Sequence, residues 1–73
     1  MITEKHLIAL ANQLMPFGKY EGRVLMDIPE EYLIWMARKG WPKGELGELL
    51  ALLLEVKTNG GIDALQPLRG MSL

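Results

Sequence analysis

Lys19 stands between two glycines in the run Met15-Pro16-Phe17-Gly18-Lys19-Tyr20-Glu21-Gly22. A lysine set among glycines could hold a phosphate, because close backbone N–H groups and an ammonium both complement an anion. The phosphate-loop pattern needs four residues between its glycines, then Lys-Ser/Thr opening a helix. Lys19 instead lies between the glycines and a strand-like run follows, so turn glycines in a hairpin account for the pattern better. The other candidates for chemistry lack partners. His6 is the one histidine and there is no cysteine, which excludes disulfides, thiol nucleophiles and cysteine-based zinc sites. Glu48 and Glu55 are seven positions apart and share a helix face, but a divalent-ion site needs further ligands, and a solvated helix edge explains them. Thr3, Thr58 and Ser72 are the only hydroxyls besides the tyrosines, and none pairs with a base. No enzyme activity, cofactor or metal is expected.

Binding is a different matter. Lys19, Tyr20 and Arg23 fall at the tip of the expected hairpin, while Arg38, Lys39, Trp41 and Lys43 gather where two helices join. Were the tip to fold towards that connector, these residues would form a basic surface with aromatic members, a stacking platform of the kind that holds single-stranded nucleic acid. Glu21, Asp27, Glu30 and Glu31 oppose it from the same stretch, and the whole chain carries a net charge of −1. Nucleic-acid binders usually carry a clear basic excess. Tyr32 and Trp35 sit at helical spacing and read as core aromatics. Trp41 follows a helix-ending glycine and precedes a proline, so it either plugs the end of the core or stands exposed.

The elements that must position these residues follow from hydrophobic periodicity. Thr3 can cap a helix over 3–14, where Leu7, Leu10 and Leu14 recur at spacings of three and four. Pro16 stops it. Residues 15–25 read as a short antiparallel hairpin turned at Gly18 and Gly22. Asp27 and Glu30 have capping-box spacing for a helix over 28–39, which ends at Gly40. A leucine-rich helix over 44–58 carries Leu46, Leu49, Leu50, Leu53 and Val56, with Leu52 and Leu54 widening its apolar surface. Residues 62–73 read as a short turn and a tail. The expected fold is α+β, mainly α: three helices with a hairpin between the first and second, in one small domain spanning 1–73.

Taken together, Met15-Pro16-Phe17-Gly18-Lys19-Tyr20-Glu21-Gly22, Asp27-Ile28-Pro29, Tyr32-Leu33, Trp35 and Lys43-Gly44-Glu45-Leu46-Gly47 resemble a family of small bacterial proteins of unknown function. That family carries the label "putative quorum-sensing-regulated virulence factor". The likeness spans about Met15 to Arg69 and implies a regulatory association without a mechanism. The hairpin and following helix are also similar, more weakly, to a module at the C-terminal end of some DEDD-type exonucleases. There the motif commonly reads Phe-Gly-Lys-Tyr-Lys-Gly; Glu21 replaces its second lysine here, which puts any phosphate-binding role in doubt.

A chain of 73 residues with 49% hydrophobic content can fold, but it hides only about 60% of its unfolded surface, so its stability margin is thin. A helix apolar over much of its circumference is either central or a subunit contact. The expectation is therefore a non-catalytic interaction or regulatory module. Its partner would be a protein or a second copy engaging residues 46–56, with a nucleic-acid-binding accessory role as the alternative. Met1–Leu10 lacks the features of a signal peptide and the most apolar run is far shorter than a membrane span, so a cytoplasmic location is expected.

Overall fold

The computed structural model describes residues 3–71. Thr3 is extended and its hydroxyl accepts a hydrogen bond from the His6 backbone N–H, opening helix α1 (Glu4–Asn12). The Thr3 N–H in turn donates to the His6 ring Nδ1 at 3.2 Å, so the histidine completes a reciprocal cap. Gln13 is already extended. Leu14, expected on the helix's apolar stripe, therefore leaves it and stands 55% exposed.

No hairpin forms, which corrects the α+β expectation: the regular elements among the described residues are all helices, without a strand or sheet. Between α1 and the next helical turn, Leu14 and Val24 make one isolated antiparallel bridge. Met15 N–H donates to Arg23 C=O, and Gly22 N–H to Met15 C=O, each at 2.8 Å. The pairing stops there for physical reasons. Pro16 has no N–H to extend a ladder, and Gly18 and Gly22, both near φ +80°, bend the chain into consecutive turns. On the far side, Leu25–Asp27 coils into a 3-10 turn whose Leu25 and Met26 side chains are buried. The segment is a loop tied at its neck.

Helix α2 runs from Glu30 to Lys39 and begins after Pro29, not at Ile28. A residue preceding proline is driven out of the helical region, and Ile28 is extended at ψ 129°. Asp27 therefore caps nothing; its carboxylate binds Arg69 instead. Gly40, at φ +114°, ends α2 with its N–H on the Met36 carbonyl. Glu30 and Glu31 lie in the first turn and Arg38 and Lys39 in the last, each sign matching the helix dipole.

Helix α3 runs over Glu45–Thr58 and packs against α2 and α1. Leu49, Leu50 and Leu53 are buried, and Leu46, Leu52, Leu54 and Val56 pack against the same core. Gly47 sits where α3 passes the connector so closely that a Cβ would collide with the Pro42 carbonyl oxygen. After Asn59, a 3-10 helix (Ile62–Leu68) that contains Pro67 returns to α1 and buries Leu65. Asn12 fastens it: Nδ2 donates to the Leu68 carbonyl and Oδ1 accepts from the Gly70 N–H. The expected tail is thus held in place through residue 71, while residues 72 and 73, with the Ser72 hydroxyl, lie outside the described residues. Leu10, Met15, Leu25, Ile28 and Leu33 complete the core.

Candidate functional site

Three aromatic rings from two elements meet on the surface of α2. Tyr32 and Trp35, three positions apart, fall on one helix face, and their rings stack with centroids 5.4 Å apart. Tyr20 comes from the tied loop and meets Tyr32 edge-on at 4.8 Å. The loop can approach because Gly18 has no side chain; a Cβ there would stand 3.2 Å from the Tyr32 hydroxyl, and φ +82° suits only glycine. Tyr20 and Tyr32 are half-buried and pack against the core, while Trp35 is 51% exposed. Trp35 was expected in the core; α2 turns it outward because Leu33 and Met36 take the inward positions.

Cations surround this row. Lys19 Nζ lies 5.6 Å and the Arg23 guanidinium 5.2 Å from the Tyr20 ring centre. Lys39, one turn beyond Trp35, sits 5.7 Å from the indole. A cation so placed is attracted by the negative face of the ring, by about 0.5–1 kcal/mol at an exposed site. Two of the four acids that oppose a basic surface in the sequence are engaged. Asp27 receives both Arg69 terminal nitrogens, at 2.9 and 3.1 Å, and Glu30 accepts from the Thr58 hydroxyl at 3.3 Å. Glu21 and Glu31 remain exposed. Hydrogen bonds from Arg69 hold the Asp27 carboxyl below the usual carboxylate range, against a smaller opposing effect of burial. Partial burial lowers the nearby Lys57 ammonium, which Asp27 and Glu30 partly offset.

Of the residues read from the sequence as a binding surface, Lys19, Tyr20, Arg23 and Lys39 come together through Tyr32 and Trp35. Trp41 does not join them. It is half-buried and packs against the core, with its Cβ beside Gly47. Arg38 and Lys43 are exposed, with no ion pair or ring contact among the described residues. Tyr32 and Trp35 are the members the sequence did not assign. Their exposed flank could have been suspected from Ile34, Arg38 and Lys39 falling close to Trp35 on a ten-residue helix whose buried members are Leu33 and Met36.

A second feature lies across the molecule's α1–α3 seam. Leu7, Leu52, Val56, Ala64, Leu65 and Leu68 line an open apolar groove of about 430 Å³, with Glu55 and Asn59 as its polar side chains. Among the described residues, no three histidine or acidic side chains converge on a point that could hold a metal ion. No helix of the described residues is long and apolar enough to cross a membrane.

A small helical domain presenting aromatic and cationic side chains on one helix is the class these observations define. Residues 3–68 match the family described as "Putative quorum-sensing-regulated virulence factor", and the chain belongs to that family. It is 54% identical over 69 residues to "Uncharacterized protein YpeB" of Escherichia coli K12, covering 93% of this chain and 96% of that protein. The identity and coverage are the same for YpeB of Escherichia coli O157:H7. No solved structure matches. These relatives lend no support to the likeness with the exonuclease module.

Proposed function

We propose that this protein is a non-catalytic interaction module that engages a protein partner through the Tyr20–Tyr32–Trp35 row and its flanking Lys19, Arg23 and Lys39. The observation that carries this reading is the exposure of Trp35 while its ring is held by Tyr32. A fixed, half-exposed tryptophan beside arginine and lysine has the composition of a binding hot spot, where aromatic and arginine side chains dominate the energy. Ile34, 40% exposed, adds apolar area on the same helix. Self-association through residues 46–56 has less support, because the leucines of α3 are used against the chain's own core. The test is affinity capture from the native cell with the wild-type chain and with Trp35→Ala. A protein recovered by the first and lost by the second supports the proposal. The same set recovered by both refutes it.

A nucleic-acid partner is the second reading, favoured by the three cations ranged around stackable rings. Fluorescence anisotropy with single- and double-stranded oligonucleotides separates the two. Binding that weakens with salt and with Lys19→Ala supports the nucleic-acid reading. No binding at low salt removes it.

A further inference from the structure

We propose that the groove between α1, α3 and the C-terminal 3-10 helix is a binding site for a small amphiphile with an apolar chain and a cationic amine head. This site is separate from the aromatic row and does not depend on the function proposed for it. The volume, about 430 Å³, falls in the range of about 300–1,000 Å³ typical of small-molecule sites. Its walls are aliphatic, from Leu7, Leu52, Val56 and Leu68, over a floor that includes the buried Leu65. An apolar body would displace water there at no polar cost.

The polar chemistry selects the head group. The backbone donors next to the groove are already engaged: Gly61 N–H donates to the Val56 carbonyl and Ala64 N–H to the Gly61 carbonyl. The Asn59 side-chain nitrogen donates to the Glu55 carbonyl at 2.9 Å. The exposed Glu55 carboxylate is the one charged side chain lining the groove. Among the described residues, Glu55 has no ion pair; the pair present is Asp27–Arg69. A carboxylate without an ion pair beside an apolar trough complements an ammonium and repels another carboxylate.

The experiment is a titration of the full ¹⁵N-labelled chain with n-octylammonium, n-octanol and octanoate, each below its micelle-forming concentration, followed by amide chemical shifts. Octylammonium is expected to give saturable shifts centred on Leu52, Glu55, Val56, Asn59 and Leu68. It should bind about fivefold more tightly than octanol, the scale of one solvent-exposed ion pair, and octanoate should bind weakest. Glu55→Gln, at an exposed position, should erase the preference for the amine and leave octanol binding unchanged. Three results overturn the proposal. They are the absence of saturable shifts in the groove, octanoate binding as tightly as octylammonium, and Overhauser contacts in the free protein showing the groove filled by the chain's own ends.

Discussion

The Trp35 indole lies over the Tyr32 ring with planes 29° from parallel, yet half of Trp35 is open to water. That pairing separates two roles within one helix. Tyr32 is wedged between Tyr20 and Trp35 and belongs half to the core, whereas Trp35 uses Tyr32 as a backing. A large side chain fixed in one orientation loses little entropy when a partner covers it, so the exposed face is prepared for contact.

Trp35→Ala should therefore weaken partner binding far more than folding. Loss of the half-buried ring and its stack is expected to cost about 1–2 kcal/mol of stability. Loss of a central binding residue should cost about 2 kcal/mol or more of affinity, roughly thirtyfold. Urea unfolding and a binding titration on the same variant measure both quantities. A stability loss larger than the affinity loss would place Trp35 in the core instead.

Leu53→Ala is expected to behave the other way. Leu53 is fully buried at the centre of α3, so truncation removes transfer energy and leaves a cavity, about 2–5 kcal/mol in all. In a chain this small, that is a large share of the folding free energy. Leu54→Ala, on a half-buried position of the same helix, should cost clearly less. Denaturant midpoints rank the two.

Asp27 and Arg69 are 42 positions apart and joined by two hydrogen bonds. The folded-state Asp27 pKa lies below its unfolded value, chiefly because of the bonds from Arg69. The stabilisation is therefore present above the ordinary aspartate pKa and is lost as pH falls through the lower, folded value. Asp27→Asn should lower the melting temperature slightly at neutral pH and have progressively less effect below about pH 4. Both groups are substantially exposed, so the difference should also shrink in high salt. A melting-temperature difference that is constant from pH 7 to pH 2 would contradict this account.

Gly47→Ala should destabilise the protein even though alanine is the better helix former by about 1 kcal/mol. The added methyl group would meet the Pro42 carbonyl oxygen, a backbone atom that cannot rotate away. Forcing the connector off α3 is expected to cost about 1–3 kcal/mol, as overpacking does elsewhere. Thermal unfolding of the variant checks the sign.

Much of the helical frame could be read from the residues. The Thr3 cap, the Gly40 stop and the Leu49–Leu50–Leu53 stripe depend on neighbours within a turn or two, which a sequence displays directly. What escaped reading depends on distant partners. Asp27 has the spacing of a helix cap, but proline two positions on moves the helix start and Arg69 claims the carboxylate. Residues 15–25 carry the glycines and apolar runs of a hairpin, yet Pro16 and the 3-10 turn at Leu25 leave room for a single bridge. His6, which has no partner for chemistry in the sequence, bonds the Thr3 N–H. The cationic members of the site were legible as charge; the Tyr20–Tyr32 contact that brings Lys19 and Arg23 to α2, where Lys39 lies, is tertiary and was not.

The central claim is that the exposed face of α2 is the contact surface, and quantitative affinity capture from the native cell tests it most directly. Wild-type chain, Trp35→Ala and the control Glu48→Ala on α3 are compared by mass spectrometry of the recovered proteins and by assay of co-purifying nucleic acid. The account predicts one or more proteins held by wild type and Glu48→Ala and lost with Trp35→Ala. Equal recovery by all three chains, or recovery of nucleic acid in place of protein, would contradict it.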